Sequence, residues 1–258
     1  MATLRDISAL MKGLCEPIGV SYAVQRVRTS AESALLAHDE AQHLLGTERL
    51  HSATLRAFKR RAEFCAGRIA ARQALVGLSP QFLLLEIGRN AWGAPVLRTP
   101  WHPQPSTSEL GVRELSAAFS AHVSISHSNG FAVAVAAPWH VGVDLEANEA
   151  RPSAFARYFL CEGEQRALNQ LEGDAMQSAI NRFWTRKESA CKVGGWGARL
   201  PLRAIDTSLH EVRIDPYSIE WSSGVFAGFA ASVAFASDPA DRALALPATY
   251  IPRLESES

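Results

Sequence analysis

The stretch 139-WHVGVDLEANEA-150 places two carboxylates on one side of an extended chain. With a period of two, Val141, Val143 and Leu145 fall on one face, and Gly142, Asp144 and Glu146 on the other. Side chains two apart on a strand stand roughly 6–7 Å from each other. That is close enough to share one hard cation and uncomfortable for two bare charges. An edge strand with a solvated outer face would give the same pattern. About forty residues later, 183-FWTRKESACKVGGWG-197 has good helix formers and no breaker before Gly194–Gly195. A helix there puts Glu188 and Lys192 four apart on one face, with Trp184 a turn before. Such Glu–Lys pairs also occur on ordinary exposed helices. Combined with Asp144 and Glu146, however, Glu188 completes an all-oxygen set suited to Mg²⁺, with waters and substrate oxygens filling the remaining positions.

Three carboxylates around one Mg²⁺ leave a net charge of about minus one, so an anionic ligand needs further positive groups. Lys192 is one. The segment 49–72 supplies others: Arg49, Arg56, Lys59, Arg60, Arg61, Arg68 and Arg72 against the single acid Glu63. This is either a basic solvated face or a phosphate-binding wall of arginine forks. In 124-SISHS-128, alternation sets the three serines opposite Ile125 and His127. No acid lies nearby and there is no Gly-x-Ser-x-Gly elbow, which argues against a hydrolase triad. A Ser-His pair is usually structural, but Ser126 and His127 at a strand end also make suitable phosphate donors.

The elements that must position these groups alternate along the chain. A short amphipathic start precedes 20-VSYAVQRV-27, which has strand character, and an Ala/Leu-rich helical stretch follows. Residues 47–78 read as helix, in one or two pieces, with Phe64, Gly67, Ala71 and Leu75 as an apolar stripe. A strand is expected over 81–90, and 91–97 reads as a turn into another extended piece. Residues 98–113 read as a Pro-, Ser- and Thr-rich loop. Then 122–137 reads as a hairpin turning at Ser128–Gly130, 153–171 and 174–193 as helices, and 201–236 as strands. The tail from Asp238 reads as peripheral. The segments 130-GFAVAVAA-137 and 228-GFAASVAFA-236 echo each other, as a duplicated α+β unit would, with a boundary near residue 139.

Composition excludes several classes. The chain has 258 residues, 47% hydrophobic and 20% charged, as in ordinary globular proteins. Twenty-six basic and 26 acidic side chains cancel, leaving no global field for nucleic acid or an anionic membrane. The basic residues of 49–72 also lack the interleaved aromatics of a nucleic-acid surface. Cys15, Cys65, Cys161 and Cys191 show no zinc spacing and suit a reducing compartment. No signal-peptide core or membrane-length apolar run is present, so a soluble, cytoplasmic protein without stable membrane anchoring is expected.

The pair 142-GVDLE-146 and 184-WTRKESACK-192 resembles the signature of the 4′-phosphopantetheinyl transferases: a Gly-hydrophobic-Asp-x-Glu strand, then Trp-Ser/Thr-x-Lys-Glu-x-x-x-Lys. Residues 59-KRRAEFCAGRIAARQAL-75, the 93-GAP-95 turn and 124-SISHS-128 sit in that family's order. The ordered set covers roughly residues 47–236 and resembles the larger, monomeric Sfp/EntD type. The resemblance implies an α+β fold of two similar halves related by a pseudo-twofold axis. The halves would be an N-terminal one at 1–138 carrying the basic helix and a C-terminal one at 139–240 carrying the metal and catalytic residues, with a peripheral tail at 241–258.

It further implies coenzyme A as substrate, bound between the halves. Asp144, Glu146 and Glu188 would hold Mg²⁺, with Mn²⁺ as a possible substitute. Glu188 would take the proton of a serine hydroxyl on an apo acyl or peptidyl carrier protein. Lys192 would neutralise the breaking pyrophosphate, and 3′,5′-ADP would leave. Ser126, His127, Arg61 and Arg68 would hold nucleotide phosphates, His127 the 3′-phosphate. Two departures stand out. Ala94 replaces a lysine that some members place in the Gly-x-Pro turn, and the loop at 98–120 is long. The alternatives are a non-catalytic binder of coenzyme A or carrier protein, and a Mg²⁺-dependent pyrophosphohydrolase. The first has no need of all three carboxylates, and the second would leave free phosphopantetheine.

Overall fold

A computed structural model describes residues 2–28, 43–98, 121–238 and 240. The Ala/Leu-rich stretch at 29–42, the 98–120 loop beyond Arg98, and the tail 241–258 lie outside the described residues. The chain begins with α1 (Leu4–Cys15), opened by a capping box. Thr3 Oγ1 accepts from the Asp6 N–H at 3.3 Å, and Asp6 accepts from the Thr3 N–H at 2.7 Å. Its Ile7, Leu10, Met11 and Leu14 recur at helical spacing and are buried. There follow β1 (Ser21–Arg26), α2 (Gly46–Thr54), α3 (Phe58–Leu78), β2 (Glu86–Arg89) and β3 (Pro95–Arg98). Next come β4 (His122–Ser128), β5 (Phe131–Ala137) and β6 (Val141–Ala147), then α4 (Ser153–Phe159), α5 (Glu162–Leu168) and α6 (Gly173–Val193). β7 (Glu211–Ile214), β8 (Tyr217–Phe226) and β9 (Phe229–Ala236) complete the order.

The strands form three antiparallel sheets, ordered β1-β5-β4, β2-β3 and β6-β9-β8-β7. The helix α3 lies on the first sheet and α6 on the last, while α1 packs on β1, β8 and β9 and so bridges both. The alternation within β5 and β9 explains this layering. In β5, Phe131, Val133 and Val135 face a core shared with α1, β6 and β9, whereas Ala134 and Ala136 face α3. In β9, Phe229, Ala231 and Val233 join the shared core, and Ala234 and Ala236 turn to the α6 side. Bulky side chains thus fill the space between the sheets, and alanines let a long helix approach each outer face. The two echo phenylalanines meet edge-on across this core, with ring centroids 5.5 Å apart. The β4–β5 and β8–β9 hairpins each turn through two residues of positive φ, Asn129–Gly130 and Ala227–Gly228.

Several element boundaries differ from the sequence reading. Of the expected 81–90 strand only Glu86–Arg89 is a paired strand, because Pro80 opens a 3₁₀ turn over Pro80–Leu84. The carbonyls of Leu83 and Leu85 there accept from the Arg72 guanidinium instead of a neighbouring strand. The expected 153–171 helix is two, since Leu160 is extended and Glu164 restarts the helix by accepting the Cys161 N–H at 3.0 Å. The 47–78 segment, read as one or two helices, is two, parted at the extended residues Leu55 and Ala57. No helix among the described residues is long and apolar enough to cross a membrane.

Where the two large sheets meet, His122 at the start of β4 stacks on His140 just before β6, with ring centroids 3.9 Å apart. His140 reaches the Tyr217 hydroxyl at 2.9 Å and the Val193 carbonyl, at the end of α6, at 3.3 Å. Burial, and secondarily His140, push the His122 pKa down to about 3 from an ordinary 6.5. Between those values the unfolded chain binds more protons than the folded one. Stability therefore rises with pH across this window and is lost on acidification below 6.5. Urea unfolding at pH 7 and pH 5 should show this loss, and His122→Phe, which keeps a ring in the stack, should reduce it. An equal acid sensitivity in the variant would exclude His122 as a source.

Candidate active site

The close approach of α6 to β6 builds the site. Gly142 has no side chain, and a Cβ there would lie 2.0 Å from the Ser189 carbonyl oxygen of α6. With the helix this near, Lys192 reaches across to the strand. Its ammonium donates to the Val143 carbonyl at 2.9 Å and to Asp144 Oδ1 at 2.8 Å. Ser189 anchors the same approach, its hydroxyl donating to the Arg186 carbonyl at 2.9 Å and pairing with the Ser232 hydroxyl on β9 at 3.1 Å.

On its other edge β6 meets β4 through side chains. The N–H groups of Val143, Leu145 and Ala147 donate to the hydroxyls of Ser124, Ser126 and Ser128 at 3.1, 3.2 and 3.0 Å. Ser126 in turn donates to Asp144 Oδ1 at 2.9 Å. Asp144 is therefore not on a solvated outer face: it is 4% exposed, and its Oδ2 is buried with no hydrogen-bond partner. Glu146 accepts from the Trp184 indole N–H at 3.1 Å and meets Arg151 at 3.4 Å. Burial first, and the Asp144 charge second, raise the pKa of both Glu146 and Glu188 above the usual carboxylate range. For Glu188 the Lys192 charge opposes this, and Glu146 adds to it.

The structure thus brings Asp144, Glu146, Glu188 and Lys192 together. One buried and two half-buried carboxylates, with an orphaned oxygen among them, are chemically suited to a hard divalent cation. The three carboxylates are neighbours without closing to within 4.8 Å of one another. Among the described residues, the set that does so is Cys161, Glu164 and Asp206. There Glu164 is already engaged by Lys187 at 2.9 Å and by the Thr207 N–H and hydroxyl at 3.0 and 2.6 Å.

The expected phosphate contacts separate. Ser126 turns its hydroxyl inward to Asp144 and Leu145, leaving it no free hydrogen for a phosphate. His127 is exposed on the opposite face, 3.9 Å from Glu63. Arg61 donates to the Leu55 carbonyl at 2.9 Å. Arg68 is 6% exposed and lies over the Phe64 ring, with a long 3.4 Å contact to the Gly88 carbonyl. Burial pushes the Arg68 pKa down to about 10, against the pull of Glu48. Arg61 and Arg68 each keep a buried Nε with no hydrogen-bond partner. Arg72 is different. It clasps both oxygens of Glu48 at 2.8 Å, an acid one residue before the stretch counted as basic. The 93–95 turn is held by Asn90, which accepts from the Trp92 and Ala94 N–H groups, and it lies against Gly195 beyond α6.

Lys187 was given no role by the sequence reading, although it lies within the second motif. It is fully buried, pairs with Glu164, and donates to the Leu202 and Ile205 carbonyls, fixing α6 to α5 and to the segment before β7. Arg151 was also missed, since no spacing rule connects it to Glu146.

Comparison with known proteins bears out the resemblance carried by the motifs. Residues 140–241 match the family described as ACPS, the 4′-phosphopantetheinyl transferase superfamily. The chain is similar to the 4′-phosphopantetheinyl transferase Sfp of Bacillus subtilis (strain 168), 28% identical over 106 residues, 41% of this chain and 47% of that one. It is similar also to the 4′-phosphopantetheinyl transferase ffp of Bacillus subtilis, 30% identical over 92 residues, 36% of this chain and 41% of the relative. The matched region spans less than half the length of these curated relatives. Among solved structures, the holo-ACP-synthase from Plasmodium yoelii overlaps with a TM-score of 0.32 at 15% identity, covering 45% of this chain and 90% of that one.

Two substitutions test the site's construction. Gly142→Ala should lower stability by about 1–3 kcal/mol, the usual cost of overpacking, because the obstructing atom is backbone. Ser126→Ala leaves the Leu145 N–H without its acceptor and should cost about 1–3 kcal/mol. Both losses are read from urea unfolding midpoints, and a wild-type midpoint in either variant would contradict the packing described.

Proposed function

We propose that the protein transfers the 4′-phosphopantetheine arm of coenzyme A to a serine of an apo acyl or peptidyl carrier protein, releasing 3′,5′-ADP in a Mg²⁺-dependent reaction. The observation that carries this reading is Asp144. It is a buried carboxylate with one oxygen held by Ser126 and Lys192 and the other unpartnered, beside two further carboxylates. The family match over residues 140–241 supports the same chemistry.

In this reading Asp144, Glu146 and Glu188 hold Mg²⁺, which when bound supplies charge neutralisation to the pyrophosphate. Glu188 acts as general base. It takes the serine hydroxyl proton as the phosphopantetheine arm is transferred. Lys192, already beside Asp144, stabilises charge that develops on the phosphate oxygens. His127, which is exposed, holds a nucleotide phosphate, and Arg61 and Arg68 contribute positive charge to it from α3. Ser126 serves that set indirectly, by orienting Asp144. The two halves, 1–138 and 139–240, are read as related by a pseudo-twofold axis through the contact of Phe131 with Phe229.

Intact-protein mass spectrometry tests the proposal. An apo carrier protein incubated with this protein, coenzyme A and Mg²⁺ should gain one phosphopantetheine. The gain should vanish with EDTA and in Glu188→Ala. Free phosphopantetheine with an unmodified carrier would indicate hydrolysis instead. An unmodified carrier with coenzyme A still bound would indicate a binding protein.

A further inference from the structure

Beyond the motif residues, the segment after β6 is bolted to the first half of α6 around a single arginine. The Arg151 guanidinium meets Glu146 Oε2 at 3.4 Å, and its Nε donates to Asn181 Oδ1. The guanidinium lies over the adjoining Phe155 and Trp184 rings, whose centroids are 4.9 and 5.4 Å from its central carbon and 4.9 Å from each other. Its backbone N–H donates to Gln177 Oε1 at 3.0 Å. Asn181 is fully buried and uses its own amide hydrogens on Asn148 Oδ1 and on the Glu149 and Gln177 carbonyls. The arginine is thereby tied to Asn181, and Glu146 is held at each oxygen, by a hydrogen bond from Trp184 on one and by the ion pair with Arg151 on the other.

We propose that Arg151, locked by Asn181, is a positioning residue that fixes the Glu146 carboxylate for cation binding. The inference rests on the metal site proposed above. A glutamate has three side-chain torsions, and a half-buried one among like charges would swing toward water if nothing held it. A hydrogen bond and an ion pair from different elements hold it in place, while each oxygen keeps a lone pair for a cation. Lysine cannot replace the arginine here. A single ammonium does not reach Asn181 and Glu146 together while laying a planar face against the two rings.

The test is Mn²⁺ binding by the full chain, read from the electron paramagnetic resonance signal of free Mn²⁺, with and without saturating coenzyme A. Asp144→Ala should abolish binding. Arg151→Met should weaken it about 10–100-fold, as losing a partner of a metal ligand commonly does, with a melting midpoint near that of wild type. Arg151→Lys should fall between the two. Mn²⁺ binding that is lost in Asp144→Ala and unchanged in Arg151→Met overturns this inference alone. Should Arg151→Met fail to fold, wild-type affinity in Arg151→Lys overturns it equally. Wild-type protein that binds no Mn²⁺ under either condition overturns the metal site and the inference together.

Discussion

The two large sheets meet at β4 and β6, and the backbone donors of β6 along that line have no partner strand. Three N–H groups, those of Val143, Leu145 and Ala147, point toward β4. Each would carry a penalty of about 1–3 kcal/mol if buried without an acceptor. Serine at every second residue of β4 removes that penalty, since its hydroxyl accepts what a carbonyl would otherwise accept. A strand's period of two then places all three hydroxyls on the side facing β6. Much of the site follows from this junction. β6 is fixed between β4 and β9, Asp144 is drawn out of solvent, and Ser126 sets the orientation of its carboxylate.

The second constraint is the absence of a side chain at Gly142. It brings α6 close enough for Lys192 to bond both the Val143 carbonyl and Asp144. Strand and helix together concentrate negative charge, so Glu146 and Glu188 are raised by burial and by their acidic neighbours. That is an energetic cost to the fold, and a protein without use for a cation or a base there would gain by replacing one of the acids. The same helix carries the fully buried Lys187–Glu164 pair one residue before Glu188. Breaking such a pair by removing one partner costs about 3–5 kcal/mol, so the helix rotation that presents Glu188 and Lys192 to the strand is strongly fixed.

Much of this was legible in the sequence, and what was not has physical reasons. The alternation of Val141, Val143 and Leu145 against Gly142, Asp144 and Glu146 gave the strand and its faces, and Gly194 marked the end of α6. The hairpin over 122–137 was readable because its turn residues and its alternation agree. Burial was not readable, because a solvated edge and a side-chain-bridged one give the same period. The role of Ser126 was hidden for that reason: a hydroxyl donor suits a phosphate and a neighbouring strand equally well. The basic stretch misled in part, since Arg72 is neutralised by Glu48, and a charge count begun one residue later cannot include it. Arg151 and Asn181 lie thirty residues apart and meet only because α6 runs back along the segment following β6.

The echo between the two Gly-Phe strands shows how local composition and long-range placement coincide. Alanine on one face of β5 and β9 gives little burial energy by itself, but it allows α3 and α6 to lie close to their sheets. Valine and phenylalanine on the other face supply what the alanines do not, at about 1.5–3 kcal/mol for each large side chain buried. Those larger residues are all directed to the core under α1, so the main apolar stabilisation holds the two sheets to each other. The carboxylates of β6 lie on the face turned away from that core, beside α6 and across from β4. A site made of mutually repelling groups is thus placed directly on the part of the fold where apolar burial is greatest, and the stabilising and the repelling residues alternate along one strand.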